Sequence, residues 1–332
     1  LPKGPWWESF GDARLSRLMA QAPSLFMAGR FDELVAISRE AEALLGPAQA
    51  GPRFEQAARV AAIAFQNAIA YQGLRPDAAA RDRALALAEA SEIDEVAINV
   101  GHYHGLWCAW TGRVAEGEAH LEAAQRRTRR LHDAFNLYLR PCLLMQEGAY
   151  EEAAALVAQA RRYPAAGQVD LARHLLHALD GLARFGRGDL DGAAEALAEA
   201  HERATRGGLA LVRLQALLGL GRVAIARGDL GRAEEALARA LALAEAPETR
   251  NPLHAAIALR MQAVVQARAG RPHEADRLLD AALAPLVDNP LEEALVALAR
   301  GDTWRHEAGR AEAARLAYLQ AGERFHALGN RY

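Results

Sequence analysis

The chain has 332 residues, more than a single core of up to about 250 residues usually serves, so it either divides into domains or grows by stacking repeats. A formal net charge of -3 and a pI near 6.5 exclude a general electrostatic attraction to nucleic acid or anionic membranes. Arg, Glu or Asp interrupts every apolar run before the roughly 18 residues that a membrane span needs.

Ala, Leu, Glu and Arg dominate, whereas Ile, Thr and Tyr are sparse, which predicts an all-α protein. Lys3 is the only lysine, so positive charge in the body of the chain is carried by arginine. Cys108 and Cys142 fall in predicted helices without metal-type spacing, and a reduced, cytoplasmic setting is the simplest expectation. The sequence opens on Leu1-Pro2-Lys3-Gly4-Pro5, without an initiating Met or a signal-peptide pattern, and it reads as a piece of a longer protein.

Residues 1–12 form an irregular lead that carries Trp6 and Trp7, expected to pack over the first repeat or against a preceding domain. Residues 13–332 form a helical array. Its helix-turn-helix units align on Gly29, Gly73, Gly112, Gly148, Gly188, Gly228, Gly270 and Gly309, each suited to end a helix in the left-handed conformation. The most regular unit is Leu214–Leu243. It places Leu217, Leu220, Gly221 and Ala224 on one apolar stripe, and Leu230, Ala233, Leu237 and Ala240 on a second, hinged at Arg227-Gly228-Asp229. The grammar of the second helix recurs as Ala153-Val157-Ala160, Ala193-Leu197-Ala200, Ala275-Leu279-Ala282 and Ala314-Tyr318-Ala321. After Gly73 the helix starts late, at Pro76.

This pattern resembles the tetratricopeptide repeat (TPR) family, with Leu217, Leu220, Gly221, Ala233 and Leu237 as the best match and Gly105 and Gly181 as small first-helix residues in their units. The signature aromatic is mostly absent, and the turn glycines lie 36 to 44 residues apart, against the usual spacing of about 34. The resemblance implies a right-handed superhelical solenoid of about eight antiparallel hairpins. Long units of this kind also resemble those of bacterial STAND and LuxR-type regulators, in which case the ATPase and effector lie elsewhere.

Catalytic motifs are missing. The chain has no phosphate-binding loop, and its few serines have no nucleophile-elbow context. His102 and His104 are two apart and point about 200° apart on a helix, so they do not grip one metal together. His174 with His177 and Glu323 with His326 share faces, but each needs further ligands. Structural or solvated histidines, no metal and no cofactor are therefore expected. Cys108 and Cys142 read as buried small apolar residues rather than a redox pair, and the run Arg126-Arg127-Thr128-Arg129-Arg130 as a solvated cap at a helix C-terminus.

In a TPR stack the first helices line the concave face. Helical phase then projects Asn67, Tyr71, Asn99, His102, Leu106, Trp110, Tyr138 and Met145 into the groove of the N-terminal half, and Arg222, Arg260 and Arg268 into that of the C-terminal half; Cys142, Phe185 and His306 fall on the same stripe. Aromatic anchors followed by arginines suit an extended peptide or acidic segment. The expected function is a non-enzymatic protein- or peptide-interaction module, part of a larger regulator, which contacts other domains of its own polypeptide or a separate partner. The alternative is a small-inducer-sensing domain of a STAND or LuxR-type regulator.

Overall fold

A computed structural model describes residues 12–46, 52–71, 78–91, 94–127, 134–162, 169–286, 289–305 and 307–329. These form sixteen α-helices and no strand, paired as eight antiparallel hairpins. The N-terminal four are α1 (Ala13–Ala28) with α2 (Phe31–Leu45), α3 (Pro52–Tyr71) with α4 (Ala78–Ala90), α5 (Asp94–Thr111) with α6 (Val114–Arg127), and α7 (Ala134–Gln146) with α8 (Tyr150–Arg161). The C-terminal four are α9 (Val169–Gly186) with α10 (Leu190–Arg206), α11 (Ala210–Arg227) with α12 (Leu230–Glu245), α13 (Pro252–Arg268) with α14 (Pro272–Leu283), and α15 (Pro290–Trp304) with α16 (Ala311–Ala327). The lead with Trp6 and Trp7, together with Gly73, Pro76, Thr128, Arg129, Arg130 and His306, lies outside the described residues.

The hairpin turn is built by two adjacent residues. In Arg227-Gly228-Asp229, Gly228 takes φ +75°, a left-handed conformation that costs other residues about 1–2 kcal/mol. This turn lets the Asp229 amide donate back to the Ala224 carbonyl at 2.9 Å. The Asp229 carboxylate then accepts from the Arg232 amide at 3.1 Å and caps α12. Arg187-Gly188-Asp189 repeats the device, with Asp189 accepting from the Gly192 amide at 2.9 Å. Of the eight aligned turn glycines, all seven that are described have φ between +72° and +81°.

The small-large-small stripe of each second helix is its buried face. Ala193, Leu197, Ala200, Ala233, Leu237, Ala240, Ala275, Leu279 and Ala282 are all at most 1% exposed. Two of these leucines, Leu197 and Leu237, are met by a glycine of the paired first helix. A Cβ on Gly221 would lie 2.7 Å from Leu237, and one on Gly181 would lie 2.5 Å from Leu197. Gly105 differs, because its close neighbour is Leu139 of the following first helix, α7, rather than a residue of its partner α6.

Each second helix packs on its own first helix and on the first helix of the next hairpin, and from α3 onward consecutive first helices also touch. Contacts between distant hairpins break this neighbour rule, among them α1 with α11 and α5 with α15. Gly29, in the α1–α2 turn, sits where a Cβ would be 3.0 Å from Thr249 and 3.2 Å from Ala210. Phe65 and Trp107 share one core with Leu253, Ala256 and Val296. The array thus bends far enough for its N-terminal hairpins to cover the inner side of its C-terminal ones. This coverage explains why α11 buries residues on every side, including Leu211, Val212, Leu214, Ala216, Leu217 and Leu218.

The glycine-leucine contact has a measurable signature. Gly221→Ala should cost about 1–3 kcal/mol by overpacking and Leu237→Ala about 2–5 kcal/mol by leaving a cavity. The double variant should lose less than the sum by at least about 0.5 kcal/mol, because the truncated leucine makes room for the added methyl. Chemical denaturation of the four proteins measures this, and strict additivity would remove the contact from the account.

Candidate functional site

The side chains projected onto the inner stripe do not all reach one surface. Asn67 and Tyr71 lie on α3, Asn99 and His102 on α5 and Tyr138 on α7, and the side chains of these five are outside what the structure describes. Leu106 is buried, and half-buried Met145 packs against the core to which Leu106 belongs. Trp110 meets His254 of α13 edge to face, with ring centroids 6.5 Å apart. On this stripe, Trp110 therefore contacts the protein's own C-terminal half, and Leu106 and Met145 belong to its core.

Its arginines divide in the same way. Arg260 is 11% exposed and donates through Nε to the Glu292 carboxylate of α15 at 2.8 Å. Glu292 was not on the projected stripe because it comes from the first turn of the next first helix, where Asn289 accepts from its amide at 3.0 Å. Arg268 is exposed and donates to the Ile225 carbonyl at 2.7 Å, and Arg222 is exposed on α11.

A second surface lies on the last hairpin. Leu316 and Leu319 of α16 are 47% and 48% exposed. Aligned on the small-large-small stripe, the residues equivalent to Leu316 in α2, α6, α8, α10, α12 and α14 are Ala36, Ala119, Ala155, Glu195, Glu235 and Arg277, all of them exposed. Those equivalent to Leu319 are Arg39, Glu122, Ala158, Ala198, Ala238 and Asp280, again all exposed. Solvent positions that are small or charged elsewhere are leucine here. Leu316 also lines a cleft of about 410 Å³ between α14, α15 and α16, whose apolar wall is made by Leu283, Leu286, Val296, Ala297 and Ala317. The charges at its rim pair with one another: Arg324 with Glu293 at 3.4 Å, and Arg300 with Asp280.

A third constellation joins α5 to α6. His104, four residues before Cys108, projects from the same face of α5, and Glu116, four residues before His120, does so on α6. His104 is 1% exposed, and its Nε2 lies 2.8 Å from a Glu116 carboxylate oxygen. Its Nδ1 is buried with no hydrogen-bond partner, and the His120 ring meets it edge-on at 4.2 Å between centroids. Burial, helped by the nearby His120, pushes the His104 imidazole down to about 4, while burial raises the Cys108 thiol above its ordinary range. Gly117 permits this approach, for a Cβ there would lie 2.9 Å from Leu143 and 3.1 Å from Cys108.

The remaining candidates stay apart. Cys108 and Cys142 are both free thiols. His177 contacts Arg161 at 3.0 Å, and neither His174 with His177 nor Glu323 with His326 gathers a third donor among the described residues. Arg126 pairs with Glu122 at 4.0 Å on the solvent face of α6.

His254, 4% exposed beneath Trp110, gives the closure between the two halves a pH dependence. Burial pushes its imidazole from the ordinary 6.5 down to about 4, so between those values the unfolded chain binds the proton that the folded chain refuses. Stability is fully present above pH 6.5 and is lost as pH falls toward 4, by on the order of 3 kcal/mol from this residue. Melting temperatures measured across this window should fall more steeply in the wild type than in His254→Leu, and parallel profiles would discount the residue.

No protein-family model matches the chain, and no curated protein matches its sequence. Among solved structures it is similar to a Rap protein complexed with competence and sporulation factor, with TM-score 0.66 and 13% identity over 96% of this chain and 94% of that one. It is also similar to the APC/C hetero-tetramer Cut9-Hcn1, with TM-score 0.60 and 14% identity over 97% of this chain and 57% of that one. A third likeness is to aspartyl phosphate phosphatase F from Bacillus subtilis, with TM-score 0.51 and 11% identity over 95% and 85%. At such identities the likeness shows the fold alone, a TPR-like helical-repeat solenoid, and no helix among the described residues is long and apolar enough to cross a membrane.

Proposed function

We propose that this chain is a non-enzymatic protein-interaction module that holds an amphipathic helix of a partner, or of another domain of its own polypeptide, against its last hairpin. The observation that carries the reading is the pair Leu316 and Leu319, exposed at positions where the other second helices carry alanine or a charge. Leaving two half-exposed leucines in water is unfavourable by about 1 kcal/mol each relative to covering them fully, and an apolar cleft adjoins them. Because the rim charges already pair with one another, the occupant is apolar on the docking face. A helix that lays leucine-type side chains into a groove at i, i+3 and i+7 meets that requirement.

Two of the solved structures with this fold, the Rap protein complex and the Cut9-Hcn1 assembly, contain a second molecule, which supports the reading. A partner that extends beyond the last hairpin would place carboxylates against Arg222 and Arg268, the arginines of the projected stripe that stay exposed. Such a module serves a regulator by positioning its partner rather than by transforming it.

The test is capture of a partner by the purified chain, followed by reconstitution from purified components. Leu316→Glu with Leu319→Glu should weaken the reconstituted complex by at least about tenfold, the lower bound for central interface anchors, at unchanged melting temperature. Arg222→Ala with Arg268→Ala should weaken it less and reduce its salt sensitivity. Wild-type affinity in the leucine variant would remove the last hairpin as the site. A wild-type dimer that dissociates in that variant would make the occupant a second copy.

A further inference from the structure

We infer that the α5–α6 hairpin holds a zinc ion between His104, Cys108 and Glu116. The three offer a ring nitrogen, a thiol sulfur and a carboxylate oxygen that all lie within 4.8 Å of one another. Tetrahedral zinc binds such donors at about 2.0–2.3 Å, which sets them roughly 3.3–3.8 Å apart, so side-chain shifts of about 1–1.5 Å at most close the set. The pairing of nitrogen and sulfur with a single oxygen selects zinc-type ions over magnesium or calcium, which demand oxygen shells.

Two features of the surroundings fit the ion, and a third sets a condition on it. His104 and Cys108 are almost fully buried, and His104 turns its Nε2 toward Glu116, 2.8 Å from the carboxylate oxygen, so that the nitrogen and the carboxylate face one point between the helices. The Glu116 side chain is 45% exposed and opens one side to solvent, which gives the ion an entry route and leaves a fourth position for water. The Arg81 and Arg113 guanidiniums lie over the Trp107 ring, 5.6 and 4.2 Å from its centroid. These two cations oppose a dication, so binding requires both anionic donors, the carboxylate of Glu116 and the thiolate of Cys108. Binding therefore displaces the Cys108 proton to solvent as the sulfur–zinc bond forms. The ion would staple α5 to α6 just where Gly117 draws the two helices together.

The experiment uses the full chain, stripped with a chelator and titrated with zinc chloride by calorimetry and with cobalt(II) by absorption spectroscopy. One zinc per chain, a raised melting temperature, a thiolate-to-cobalt charge-transfer band and intense tetrahedral d–d bands are expected. Cys108→Ser should abolish the charge-transfer band and weaken zinc by at least about tenfold, the lower end of what losing even an outer-sphere partner costs. Glu116→Gln, at a half-exposed position that does not endanger the fold, should weaken zinc similarly while keeping the band. Absence of stoichiometric uptake, a cobalt spectrum without a thiolate band, or wild-type zinc affinity in Glu116→Gln would each overturn the site, whether or not Cys108→Ser folds.

Discussion

The distance between paired helices is set where a small residue on one meets a bulky residue on the other, and in the α9–α10 and α11–α12 hairpins the small residue is a glycine backbone against a leucine. Gly221 against Leu237 and Gly181 against Leu197 bring the helix axes close enough for flanking alanines to bury completely. Alanine and leucine are strong helix formers, so local propensity and packing ask for the same residues. No hairpin hides both faces by itself, and stacking follows from what each leaves uncovered.

Against that regular background the departures gain meaning. Leucines at Leu316 and Leu319 break a pattern kept by the other second helices, and on α5 a histidine is buried beside a cysteine, facing a carboxylate of α6. The Arg260–Glu292 pair is a third departure, a nearly buried ion pair that joins consecutive first helices. Burial of this kind costs desolvation that the geometry must offset, and here two donor-acceptor contacts and the Asn289 cap on the same turn do so.

Much of the fold was legible in the sequence because its rules are local. A turn glycine is recognisable since few other residues adopt its φ, and the Ala-Leu-Ala face is recognisable since its spacing matches the helix. Contacts that depend on accumulated curvature were not legible. Trp110 looked like a groove anchor, yet it meets His254, 144 positions later in the chain, only because the hairpins between them add up to a particular bend. Arg260 looked unpaired because its carboxylate belongs to another helix. The His104–Cys108 and Glu116–His120 spacings are two i, i+4 pairs in the sequence, but nothing local says that consecutive helices aim these pairs at each other.

The contacts of α1 with α11 and of α5 with α15 change how such an array loses its structure. An open solenoid is a one-dimensional chain of neighbours, able to fray from either end one unit at a time. Once the two halves touch across the axis, the first helix cannot detach without uncovering apolar residues on α11, more than 180 positions away. Fraying then becomes a shared event, and a chain built from near-identical local parts acquires the cooperativity of a globular domain, at the expense of slower closure of a long loop during folding.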